Sequence, residues 1–121
     1  MVKGKFIGNV PMLAVDIGWG DLMKPPTVIL DTGFTGDIQL TPKLATELGL
    51  QPFIVVKTKM ANGQIVDMPQ AFALASMEEE QHYIEVLISN SQPLAGINLL
   101  TQFSYKVIID CKQREVTLEK V

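Results

Sequence analysis

The chain has 121 residues, 47% of them hydrophobic, with ten basic and thirteen acidic side chains and a net charge of −3. One domain spanning residues 1–121 is expected, large enough to bury a real core and short for a two-domain enzyme. The scattered basic residues argue against nucleic acid as a partner. No apolar run or signal-like N-terminus points to a membrane, and the single Cys111 excludes an internal disulfide, so the expected location is cytoplasmic.

In chain order, residues 6–17 read as two short strands broken at Asn9-Val10-Pro11, and Gly18-Trp19-Gly20-Asp21 follows as a turn. Lys24-Pro25-Pro26 forms a stiff lead into the β-branched run Thr27-Val28-Ile29-Leu30, which delivers Asp31 onto a turn containing Gly33 and Gly36. After a brief strand, Ile38-Gln39-Leu40, the segment 42–48 is predicted to be helical. Thr41 is its N-cap, Pro42 stands at the first helical position, Leu44 and Leu48 share a face, and Gly49 is the terminator. Residues 53–60 alternate with a period of two. Asn62-Gly63 then predicts a two-residue type I′ hairpin turn, which needs positive φ at both central positions. The second arm runs from Ile65 to Ala75, at most to Met77, and 78–82 is read as a solvated turn with His82 an exposed loop residue. Ile84, Val86 and Ile88 face one way along the next strand. The segment 94–103 predicts a short strand running into a helical turn with Leu99, Leu100 and Phe103 toward the core, and 107–118 a terminal hairpin. Many short strands with closely spaced turns predict a mainly β fold, a small barrel or sandwich with one or two short helices.

The chemistry available is narrow. One histidine beside an acidic turn and one cysteine in a hairpin do not make a nucleophilic triad or a zinc site. Gly33 and Gly36 lack the lysine or third glycine of a nucleotide loop, so no metal and no cofactor are expected. Carboxylates remain. Two aspartates about 3 Å apart repel by roughly 5 kcal/mol at an effective dielectric of 20, and so share one proton. Such a pair can hold a water, one member abstracting its proton while the other polarises a carbonyl. Asp-Thr-Gly occurs once. Asp16, Asp21, Asp37, Asp67 and Asp110 stand in turn-like or mixed contexts, so a second carboxylate must come from another copy of the chain, which a two-fold homodimer supplies.

The run Val28-Ile29-Leu30-Asp31-Thr32-Gly33-Phe34-Thr35 resembles the active-site strand and turn of retropepsin-like (clan AA) aspartic proteases of the bacterial type. Leu94-Ala95-Gly96-Ile97-Asn98-Leu99-Leu100 resembles their second hallmark, and the Asn62-Gly63 hairpin falls where they carry a flap. The resemblance implies a single-domain retropepsin-like closed β-barrel or sandwich, active as a homodimer that hydrolyses peptide bonds. It also implies roles. Asp31 is the acid and base, Thr32 links the two loops across the dimer, and Gly33 admits substrate backbone. Thr35 bonds the outer carboxylate oxygen, Phe34 shapes a substrate pocket, Asn62 and Gly63 close over bound peptide, and Gly96 lies beside the active-site loop. Two features depart from the retroviral pattern. Where those members pair an acidic residue with an arginine, this chain has Thr35 and Ile97, and Phe34 replaces a small residue. A catalytically silent peptide-binding or structural dimer of the same fold is the alternative.

Overall fold

The computed structural model describes residues 1–121. The strands are β1 (Val2–Ile7), β2 (Val10–Ala14), β3 (Asp16–Gly18), β4 (Thr27–Leu30), β5 (Ile38–Leu40), β6 (Ile54–Lys59), β7 (Ile65–Met77), β8 (Glu80–Ile88), β9 (Leu94–Ala95), β10 (Tyr105–Asp110) and β11 (Glu115–Lys120). Two short helices, α1 (Pro42–Glu47) and α2 (Ile97–Gln102), and a 3-10 turn over Gly20–Leu22 complete the chain. The fold is mainly β, as expected, and none of its helices is long and apolar enough to cross a membrane.

The strands join in the order β10-β11-β1-β2-β4-β9-β5-β8-β7-β3, and β6 pairs with β7 beyond this path. Most pairs are antiparallel; β4 with β9 and β5 with β8 are parallel. Leu13, Val116 and Leu118 from one end of this order share a single core with Ala75, Ile84 and Val86 from the other, so the sheet curls on itself. The short helices could not persist alone and are held by packing. Leu48 at the end of α1 and Leu99, Leu100 and Phe103 of the α2 segment are all buried. Thr41 caps α1 as expected, its hydroxyl accepting from the Leu44 amide at 3.2 Å, and Gly49 ends it at φ +71°.

The two long hairpins turn otherwise than expected. At Asn62-Gly63 only Gly63 has positive φ, at +87°. Met60 and Gln64 bond across the loop, and the Gly63 amide donates to the Met60 carbonyl at 2.9 Å. This is a three-residue loop, a type I turn followed by a glycine bulge. Asn62 turns its side chain to the Gln64 amide, at 2.9 Å, in place of adopting positive φ itself. The two-residue turn lies instead at Glu78-Glu79, with φ of +50° and +68° and Met77 opposite Glu80. Residues 80–82 are therefore strand and not solvated turn. His82, expected in a loop, sits on β8 with its ring edge-on to Phe103 and Nε2 2.6 Å from the Glu80 carboxylate.

Two carboxylates flank this turn with partners of their own, Glu78 within its left-handed backbone and Glu80 just after it. Glu78 accepts from the N-terminal ammonium and, at 2.8 Å, from the Tyr105 hydroxyl; Glu80 meets His82 and Lys120. Hydrogen bonds from the ammonium and from Tyr105 lower the Glu78 pKa, and His82 followed by Lys120 lowers that of Glu80. Burial, followed by the bond to Glu78, raises that of Tyr105. The depressed carboxylates contribute stability above their ordinary value of 4.5, lost as the pH falls through their lowered values. Raised Tyr105 contributes stability below its ordinary value of 10, lost as the pH climbs beyond it. Tyr105→Phe should therefore flatten the fall in melting temperature above pH ~10; an unchanged alkaline limb would show that the hydroxyl carries no such contribution.

Candidate active site

Strand β4 buries Val28 and Leu30 in the core and leaves Ile29 half-exposed on its other face. Its ladder to β9 runs past the strand end, with the Ile29 amide donating to the Pro93 carbonyl at 2.9 Å and the Asp31 amide to the Ala95 carbonyl at 3.0 Å. Asp31 is thus held in extended register two residues beyond Ile29, with its side chain on the same face. The chain then turns, the Phe34 amide donating to the Asp31 carbonyl at 3.1 Å. The Asp31 carboxylate is half-exposed and accepts one hydrogen bond, from the Gly33 amide to Oδ1 at 2.9 Å. Thr32, Gly33 and Thr35 are exposed, and Thr35 makes no hydrogen bond to Asp31 within the chain.

The start of α2 holds the far side of this loop. Amides of Gly96, Ile97 and Asn98 donate to the carbonyls of Asp37, Phe34 and Gly36, at 2.9, 2.9 and 3.2 Å. The approach leaves no room for a side chain at Gly96. A Cβ there would lie 2.3 Å from the Gly36 carbonyl oxygen and 2.6 Å from that of Phe34. The Phe34 ring covers both glycines, since a Cβ on Gly36 or on Gly96 would meet it at 2.7 Å. Gly96→Ala must therefore displace loop backbone. A loss of about 1–3 kcal/mol in thermal or urea unfolding is expected, and an unchanged midpoint would contradict the close approach.

One functional candidate escaped the sequence reading. Asp37, expected in a turn-like context, is only 4% exposed. Its Oδ1 accepts from Asn98 Nδ2 at 2.7 Å and Gln102 Nε2 at 2.9 Å, and its Oδ2 from the Glu85 amide at 2.9 Å. Asp37 thus clamps loop to helix with a carboxylate and neutral donors. The signal was present in Asn98 and Gln102, four apart on one face of α2.

A pocket of about 270 Å³ is lined by Ile7, Val10, Met12, Ile29, Gln92 and Pro93, Ile29 lying on β4 two residues before Asp31. Gln39 holds its outer wall, donating from Nε2 to the Gln92 carbonyl at 3.0 Å. Asn62 and Gly63 stand exposed at the tip of the β6–β7 hairpin, and no hydrogen bond joins them to the Asp31 loop. The structure thus brings Asp31, Thr32, Gly33, Phe34, Thr35 and Gly96 into one loop cluster, with the hairpin tip as a separate element.

No protein-family model matches the sequence, and no curated protein matches it. Solved structures do. A retropepsin-like aspartic protease from Rickettsia conorii superposes with a TM-score of 0.67 at 17% identity, covering 99% of this chain and 89% of that one. The EIAV protease, in complex with the inhibitor HBY-793, superposes with a TM-score of 0.62 at 17% identity, covering 82% of this chain and 92% of that one. With the Asp31 loop suspended between β4, β9 and α2, the chain has a retropepsin-like fold.

Proposed function

We propose that the chain is a single-domain aspartic endopeptidase, hydrolysing peptide bonds through a water activated between Asp31 and Asp31 of a second subunit. The observation that carries this reading is a lone carboxylate on a loop of a retropepsin-like fold, its outer face open and its inner face fixed by Gly96 and α2. In such a pair one ionised Asp31 takes a proton from the water as its oxygen attacks the scissile carbonyl carbon. The other, protonated, donates to the carbonyl oxygen. Collapse of the tetrahedral adduct breaks the C–N bond, and the amine leaves with a proton from the dyad.

The other roles follow from position. Thr32 and Thr35 are exposed on the dyad side, where Thr32 can bond across the two-fold and Thr35 can reach a carboxylate. Gly33 leaves space for substrate backbone. The pocket beside Ile29 is apolar, so an apolar side chain next to the scissile bond is favoured, with Phe34 bordering the floor. The Asn62-Gly63 hairpin would fold over an extended peptide and pair with it as an added strand. Strand β10 supports a dimer, because its outer edge is unpaired and carries half-exposed Ile108 and Ile109. Antiparallel pairing of two copies about Ile108 would set each Lys106 opposite Asp110 of the partner subunit.

Phe34 motivates a second reading, a peptide-binding dimer without turnover. Its ring packs on the loop's own glycines, which supports the first reading over the second. Incubating the protein with a peptide library from acidic to neutral pH, with and without a transition-state isostere, separates the two. Isostere-sensitive cleavage after or before apolar residues is expected. Binding of the isostere with no cleavage at any pH would establish the silent dimer.

A further inference from the structure

Four of the chain's eight aromatic side chains stand on the outer face of the β3–β7–β8 sheet, where a water-facing sheet would carry polar residues. Phe72 lies outward on β7, and Tyr83 outward on β8 opposite Leu74. Phe53 stacks on Phe72 with ring centroids 4.4 Å apart. Trp19 leans over Tyr83 at 6.1 Å with the ring planes at 48°. This placement depends on glycine backbone on both sides, Gly18 at φ +141° and Gly20 at +48°. Trp19, Phe72 and Tyr83 line an open concavity of about 410 Å³ with no polar lining. Tyr83 is 71% exposed.

Acidic side chains stand around this concavity, and the nearest base in the chain, exposed Lys24, flanks it at the β3 edge, where it bridges Ile17. Glu85 is exposed in register with Phe72 and two residues from Tyr83, Asp16 is exposed on β3, and Asp21 follows Trp19 in the 3-10 turn. No lysine or arginine occurs between Lys5 and Lys24 or between Lys59 and Lys106, the stretches that supply Trp19, Phe72 and Tyr83. Aromatic faces attract cations, guanidinium groups above all, and carboxylates at the rim add to that attraction.

The geometry points to a docking site for a basic polypeptide segment, an arginine guanidinium seated in the concavity against Trp19, Phe72 and Tyr83 with Glu85 at its edge. The site does not depend on the protease reading, since it lies on β3, β7 and β8 and uses none of the Asp31 loop.

Trp19 is the chain's single tryptophan, so its fluorescence reports the site directly. A peptide of repeating arginine and glycine should give a saturable change in that fluorescence, confirmed by calorimetry and weakened by added salt. Replacing its arginines by citrulline, planar and uncharged, should weaken binding at least about fivefold, as should Tyr83→Ala, a change at an exposed position. Glu85→Gln should weaken it by a smaller factor. Equal binding of the citrulline peptide, unchanged binding to Tyr83→Ala, or no saturable binding would each overturn the proposal. Loss of a dimer in Tyr83→Ala by sedimentation would also overturn it, by identifying the face as a contact between copies of the chain.

Discussion

Asp31→Asn will abolish peptide cleavage and leave the fold and the dimer intact. The asparagine carbonyl can accept the Gly33 amide as Oδ1 of the carboxylate does, so the turn loses no hydrogen bond. What disappears is the proton chemistry, because neither amide can take a proton from water or pass one on. A loss on the order of 10⁴-fold in turnover is expected, at the upper end of general acid–base contributions. Circular dichroism and sedimentation should match the parent protein. Subunit mixing sharpens the test. If each site needs one Asp31 from each subunit, equal mixing of parent and variant after exchange leaves about one quarter of the dimers active, not one half. Activity retained in the variant, or activity proportional to the parent fraction, would remove the shared dyad.

Asp37→Leu will cost about 3 kcal/mol of stability, a fall of roughly 10 °C in melting temperature for a domain of this size. Leucine is close in volume, so the loss is in hydrogen bonding. The Glu85 amide, Asn98 Nδ2 and Gln102 Nε2 all point at a carboxylate that would be gone, and no other protein acceptor bonds them. Asn98 is exposed and can turn to water; the other two donors are less free. Asp37→Asn should fall between parent and leucine variant, since its oxygen can serve the two side-chain donors while its NH2 faces the Glu85 amide. The loosened contact is the one joining the Asp31 loop to α2, so cleavage should decline together with stability. A leucine variant melting within a degree or two of the parent would mean that the network contributes nothing net.

The sequence made the elements legible where one signal dominated. Alternation placed Ile84, Val86 and Ile88 inward, and the cap, proline and glycine around 41–49 bounded α1. The Asp31 turn and the Gly96 segment could be paired by resemblance, and the structure places them in contact. Other features depended on distant partners. The first strand begins at Val2 and not near Phe6 because β11 lies alongside it, pairing Val2 with Leu118 and Gly4 with Val116. The turn types at Asn62-Gly63 and Glu78-Glu79 ran against local preference. At the second, the N-terminal ammonium and Tyr105 supply contacts that no local pattern shows. Asp37 was missed for the same reason, its three donors lying 48 to 65 residues further along the chain.

Strand β9 is only two residues long, yet it lies between β4 and β5 and bonds the backbone on both sides of the Asp31 loop. During synthesis the loop leaves the ribosome some sixty residues before these partners, as the step from Asp31 to Ala95 in the ladder shows. A nascent chain therefore carries the aspartate without the geometry that orients it. The order of synthesis itself delays assembly of the site until the C-terminal quarter has emerged and folded back.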